Sequence, residues 1–193
     1  AANNVNVDTC YFSNSVIQAG QVTQLIVRIK NAGTKDVGNI PVKLKLNGQD
    51  KAVAVASCNA GSSSIDTLFF TPSAQGWNEA IVSITDFPIT FDNDYYTSFY
   101  ISPSLNLVSI NGSQPSKYIH GLFEDDPYFK IIDIGASQLN YTYFNTANTI
   151  ILNEVNSVSS GLAAELKKAL LNGVSVVIFP ATNSDIVSYN SFL

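Results

Sequence analysis

The stretch NTIILNEVNSVSSGLAAELKKALLNGVSVVIFPA, residues 148–181, decides how the second half of this chain folds. Thr149 to Leu152 is a short run dominated by β-branched and aliphatic side chains, so it reads as a buried strand. Leu162, Leu166, Ala169 and Leu170 then recur at helical spacing on one stripe. Asn172-Gly173 closes that helix as a left-handed cap, and Val174 to Phe179 follows as a continuous apolar run expected to be a buried strand. Strand, helix and strand in this order predict parallel pairing through a right-handed crossover. Working back toward the amino terminus, Ser104 to Ile110 is an earlier strand that closes at Asn111-Gly112. Ser113 is placed to cap a helix whose first turn tolerates Pro115, with Tyr118, Ile119, Leu122 and Phe123 as its inward stripe. Phe129 to Ile134 is a further strand. The expectation is about four parallel strands, leaving an edge open to dimerisation.

Upstream of the extended link Ser102-Pro103-Ser104 the rhythm changes, which predicts one domain over 1–102 and a second over 103–193. Leu25, Val27 and Ile29 alternate with Gln24, Arg28 and Lys30, the period of a half-buried strand. Val42, Leu44 and Leu46 alternate in the same way before Asn47-Gly48, the strongest hairpin signal in the chain. Further strands are expected at Ala52 to Ser57, Ser64 to Phe70, Glu79 to Thr85 and Tyr95 to Ile101. Short strands with turns about every ten residues describe an antiparallel sandwich. The fold class expected is therefore an antiparallel β-sandwich followed by a parallel α/β domain.

Composition narrows the function classes. The 193 residues carry 10 Lys and Arg against 15 Asp and Glu, a formal net charge of −5. The cations are scattered singly, so no surface is expected on which phosphates would displace counterions, and nucleic acid is excluded as a partner. No run of 18 apolar residues offers a membrane span. The chain has no methionine, which is expected of a processed or excised piece. Two cysteines without CxxC spacing exclude a zinc or thioredoxin-like role. Asn111-Gly112-Ser113 and Asn140-Tyr141-Thr142 are glycosylation sequons that matter only in a glycosylating source.

VRIKNAGTKDVGNIPVKLKLNGQ (27–49) and NAGSSSIDTLFFTPSAQGWNEAIVSITD (59–86), with the Asp/Asn-rich stretch before the last strand, resemble the CARDB-type immunoglobulin-like domain over roughly residues 5 to 102. The shared marks are a strand ending in Asn-x-Gly, a hairpin, a Gly-led strand running into a Pro turn, and a Gly-aromatic step. The resemblance implies an adhesive or spacing module of an exported protein. Within this half, Asp86, Asp92, Asn93 and Asp94 read either as a calcium loop or as a solvated turn, without EF-hand spacing. Cys10 and Cys58 either form a disulfide or stand as small buried groups. Alternation puts Cys10 with Asn6 and Asp8 on the less buried face.

LNLVSINGSQPSKYIHGLFEDD (105–126), with the stretch quoted first, resembles the amino-terminal part of a class I glutamine-amidotransferase-like domain, which implies a flavodoxin-like parallel α/β fold, truncated to about four of its usual five strands, after the immunoglobulin-like antiparallel β-sandwich. That family places a nucleophilic Cys on the elbow after a strand and brings a His from later in the domain. Here the matching turn is Pro180-Ala181-Thr182, both cysteines lie in the β half, and the single histidine, His120, stands beside Ile119 as an exposed or half-exposed helix residue. Asp125, Asp126 and Asp133 are not forced together by their positions. Asn111-Gly112-Ser113 lies where an open α/β sheet binds ligands but is not a GxGxxG motif. No cofactor and no catalytic residue is expected.

The two resemblances in tandem are similar to the exported region of Bat-type (aerotolerance-operon, BatA-like) membrane proteins of Gram-negative bacteria, anchored by hydrophobic helices absent from this chain. What this implies is a non-catalytic periplasmic scaffold with protein partners, touching the membrane only through those segments. The alternatives are a hydrolase or amidotransferase relative with catalytic residues beyond Leu193, and a carbohydrate-binding or adhesion module using Tyr95, Tyr96 and Tyr100.

Overall fold

A computed structural model describes residues 4–193 and divides the chain into two compact units, the first ending at Pro103 and the second spanning Ser104–Leu193. The first unit is an antiparallel sandwich of seven strands: β1 (Val5–Phe12), β2 (Thr23–Asn31), β3 (Val37–Leu46), β4 (Gln49–Cys58), β5 (Ser63–Phe70), β6 (Gly76–Ser83) and β7 (Asp94–Ile101). A three-stranded sheet, β1-β2-β5, faces a four-stranded one, β4-β3-β6-β7. Leu25, Val27 and Ile29 of β2 and Val42, Leu44 and Leu46 of β3 point into the shared core, as their period of two requires. Phe12, Phe70 and Phe99 pack as a trio, with Phe12 edge-on to Phe99 at 4.7 Å between centroids.

Two polar residues explain the turns. Asn47 and Gly48 both adopt positive φ, 51° and 78°, the hairpin geometry that Asn-Gly accepts most readily. Asn31 is buried at the end of β2. Its side chain accepts from Gly33 N at 2.9 Å and donates to the carbonyls of Lys35 and Cys58. The Asn-x-Gly of the sequence is thus a bracket that satisfies three backbone groups where two strands leave the sheet.

The parity expected for Cys10 is reversed. Val7 pairs with Ile29 while Thr9 pairs with Arg28, so one extra residue, Asp8, bulges out of β1. The bulge turns Cys10 and Phe12 toward the core and leaves Asp8 to pair with Arg28 at 2.5 Å. The disulfide reading is corrected as well, because both cysteines are free. Cys10 lies on β1 opposite Val27, whereas Cys58 ends β4 in the other sheet and sets its thiol against the carbonyls of Ile29 and Ser62. Burial pushes the Cys10 thiol up to about 12, so it stays protonated at neutral pH. A thiol-titrating reagent at pH 8 is expected to find no fast-reacting cysteine in the native chain and both once it is unfolded; stoichiometric reaction of native Cys10 would contradict this burial.

The second unit is a parallel sheet with helices: β8 (Leu105–Asn111), α1 (Lys117–Phe123), β9 (Phe129–Gly135), a 3-10 turn (Tyr141–Asn145), β10 (Thr149–Asn153), α2 (Ser160–Leu171), β11 (Ser175–Phe179) and α3 (Ile186–Tyr189). The sheet order is β11-β10-β8-β9, all parallel. The fold class is thus β plus α/β, and the sheet has four strands. Ser159 caps α2, whose Leu162, Ala163, Leu166 and Ala169 are buried against Val108, Ile110, Ile150 and Leu152.

Two details depart from the sequence reading. The cap of α1 is Ser116, not Ser113, and the short helix buries Ile119 while Tyr118 and Leu122 face solvent. Ile119 and Phe123 are one turn apart on the face toward the sheet, and Tyr118 and Leu122 form the neighbouring stripe. β11 is an edge strand, so it alternates: Val176 and Ile178 pack on the core while Val177 and Phe179 are exposed.

Candidate functional site at the carboxyl edge of the parallel sheet

Parallel register sets the polar side chains of three strands in one row. Ser109 lies opposite Asp133, and Asn111 lies between Asn153 on one side and the end of β9 on the other. Positions 109 and 111 share a face because strand side chains repeat every two residues. On that face Asn111 Nδ2 donates to Asp133 Oδ1 at 2.8 Å, and Asn153 Nδ2 donates to Asn111 Oδ1 at 2.8 Å. The Ser109 hydroxyl donates to the same Asn111 oxygen at 3.3 Å. From α1, His120 Nε2 meets Asp133 Oδ2 at 2.6 Å. Both oxygens of Asp133 are therefore engaged, and an imidazole, a carboxylate and two amides run in one chain of hydrogen bonds across β9, β8 and β10.

This relay sits at the carboxyl ends of the strands, where open α/β sheets place their ligands. Beside it a cleft of about 310 Å³ opens between α1, with Ser116, Tyr118 and Leu122, and the corner formed by Asn153, Glu154, Phe179 and Pro180. Gly112 makes the corner possible. A Cβ there would lie 1.9 Å from the Glu154 carbonyl oxygen, so only glycine lets the end of β8 pass this close to the end of β10. Glu154 itself takes a positive φ of 51° and donates its N–H to Phe179 O at 2.8 Å.

A carboxylate-held imidazole is the arrangement of a general base. Among the described residues no hydroxyl or thiol is shown hydrogen-bonded to His120, and the turn after β11 carries Pro180, Ala181 and Thr182. His120 is a half-exposed helix residue, as the sequence reading expects, and the tertiary structure adds its bond to Asp133. The only signal available beforehand was that a polar Asp interrupts the apolar strand FKIIDIG. Asp125 and Asp126 do not join it; Asp126 Oδ1 instead accepts from Tyr128 N at 2.9 Å.

The remaining predicted groups lie in the sandwich. Asp86 Oδ2 accepts from Val5 N at 2.6 Å, and Asp92 Oδ2 accepts from Asn4 Nδ2 at 2.7 Å. Asp94 is exposed, and its carboxylate accepts from the Tyr96 hydroxyl at 3.5 Å. No three acidic, His or Cys side chains gather closely enough to hold a metal among the described residues. Tyr95 packs against the core, whereas Tyr96 and Tyr100 are exposed, the latter edge-on to Trp77 at 5.5 Å and 70°. Rings at that angle are not the coplanar platform that a sugar face stacks on.

No protein-family model and no curated protein matches this chain. Solved structures of similar fold include the CARDB domain of a Pyrococcus furiosus protein, 15% identical over 52% of this chain and 94% of its own, at a TM-score of 0.45. A domain of a Methanosarcina acetivorans protein whose name places it at the cell surface is 13% identical over 52% of this chain and 93% of its own, at 0.46. A Paenibacillus cycloisomaltooligosaccharide glucanotransferase is similar over 93% of this chain but only 28% of its own, at 9% identity and 0.43.

Proposed function

We propose that this chain is a non-catalytic interaction region of an exported protein, a CARDB-like sandwich followed by an amidotransferase-like domain that has lost its chemistry, in the periplasmic part of a BatA-like, membrane-anchored protein. The observation that carries the reading is the turn after β11. Pro180 stands where an oxyanion hole needs a backbone donor, and the turn Pro180-Ala181-Thr182 carries no Cys, Ser or flanking glycine. In this reading the His120–Asp133 bond clamps α1 to the sheet, and protein partners use the exposed apolar side chains around the cleft and on the sandwich.

A second reading, a hydrolase completed by residues outside this chain, is favoured by one observation, the Asp-held imidazole itself. One experiment separates the two. Ester, amide and glutamine substrates are offered to this chain and to the full-length protein, each with and without His120→Ala. The scaffold reading expects no turnover above background in any sample. Turnover abolished by His120→Ala would establish the hydrolase.

A further inference from the structure

The start of β1 and the connection between β6 and β7 are tied together by four oxygen-bearing side chains. Asn4 Nδ2 donates to Asp92 Oδ2 at 2.7 Å, and Asp92 is followed directly by Asn93. Asn93 Nδ2 donates to the Asp86 carbonyl at 3.2 Å, and the Asp86 carboxylate accepts from Val5 N, the residue after Asn4, at 2.6 Å. The contacts close into a ring. On these side chains three oxygens, Asn4 Oδ1, Asp92 Oδ1 and Asn93 Oδ1, are sealed from solvent and receive no hydrogen bond among the described residues.

One such orphan is a defect that folded proteins rarely tolerate, and three in one cluster call for something that satisfies them together. Every orphan is an acceptor. The neighbouring donors, both amide nitrogens and the Val5 N–H, are already used. The missing group must therefore be positive or proton-rich. Two carboxylates supply the charge that balances a divalent cation, and two amide oxygens add neutral hard ligands, while no imidazole or thiolate is at hand to favour zinc. A mixed set drawn from a strand terminus and a loop suits the adaptable coordination of calcium better than the strict octahedron of magnesium.

We propose that Asn4, Asp86, Asp92 and Asn93 form a calcium site that fastens the start of β1 to the β6–β7 connection. Asp94, which the sequence groups with the two aspartates, is outside it. The site is a property of the sandwich alone and stands whether or not the second unit has chemistry.

The test uses the full chain stripped with EDTA. Trp77, the only tryptophan, lies on β6 and reports unfolding of the sandwich. At ~2 mM calcium, above the 0.1–1 mM dissociation constants usual for extracellular modules, its thermal midpoint is expected to rise by about 5 °C or more. Calorimetry should show a single site. Asp92→Asn keeps the shape and removes a ligand charge, and is expected to abolish both signals; Asp94→Asn makes the same charge change outside the ring and should leave both intact. If Asp92→Asn fails to fold, terbium luminescence displaced by calcium on the wild-type chain reads the site directly. No heat and no midpoint shift in the wild-type chain, a shift preserved in Asp92→Asn, or terbium emission that calcium does not displace, would each overturn the proposal and leave the three oxygens to a buried water.

Discussion

Gly112→Ala destabilises the second unit by about 3–5 kcal/mol, the range reserved for changes that a fold has no way to absorb. The added methyl would lie 1.9 Å from the Glu154 carbonyl oxygen, 2.7 Å from its carbon and 3.2 Å from Val155 Cα. All three are backbone atoms, so no rotamer change relieves the clash. Relief requires the end of β8 to separate from the corner after β10, which breaks the bond from Gly112 N to Asn153 O at 2.9 Å. Helix signal at 222 nm follows this loss, because every helix of the chain lies in the second unit, while Trp77 fluorescence follows the sandwich. The expected result is a denaturation midpoint displaced strongly in the first signal and hardly in the second. Equal stability of Gly112→Ala and the parent chain would show that β8 and β10 do not approach as described.

Asn111→Ala is expected to cost about 3 kcal/mol or more in the same unit, from the Asp133, Asn153 and Ser109 groups left unpaired at roughly 1–3 kcal/mol each. Asn111 is buried and holds Asp133 Oδ1 with its nitrogen and Asn153 Nδ2 with its oxygen. Alanine removes these partners and leaves a carboxylate oxygen, an amide N–H and the Ser109 hydroxyl facing a small void. Asn111→Asp should be at least as costly, since it sets a second carboxylate against the first. For a unit of this size the midpoint should fall by about 10 °C or more. A loss under about 0.5 kcal/mol, the size of an ordinary surface substitution, would mean that the relay is incidental to the fold.

Where the sequence could be read and where it could not follows from the distance over which each feature is decided. The alternation of residues 23–31 and 42–46, the helical stripe from Leu162 to Ala169 and the Asn47-Gly48 turn depend on neighbours a few residues away, and each appears where its pattern points. The α1 cap lies one turn later than Ser113, because Ser113 and Ser116 both stand before Tyr118 and only packing of Ile119 on the sheet selects between them. The burial expected across Val174 to Phe179 depends on whether β11 has neighbours on both sides, and it does not.

The site features lie further beyond local pattern. His120 meets Asp133, Asn111 meets Asn153, and Asn4 meets Asp92 across 13, 42 and 88 residues. The sequence by itself determined the two rhythms and the turns, because backbone periods and glycine conformations belong to short segments. The tertiary structure alone decided the bulge that turns Cys10 inward, the Asp-held imidazole and the ring of oxygens at the end of the sandwich. Those depend on register between strands, and register is set by the packing of whole faces, which no single segment encodes.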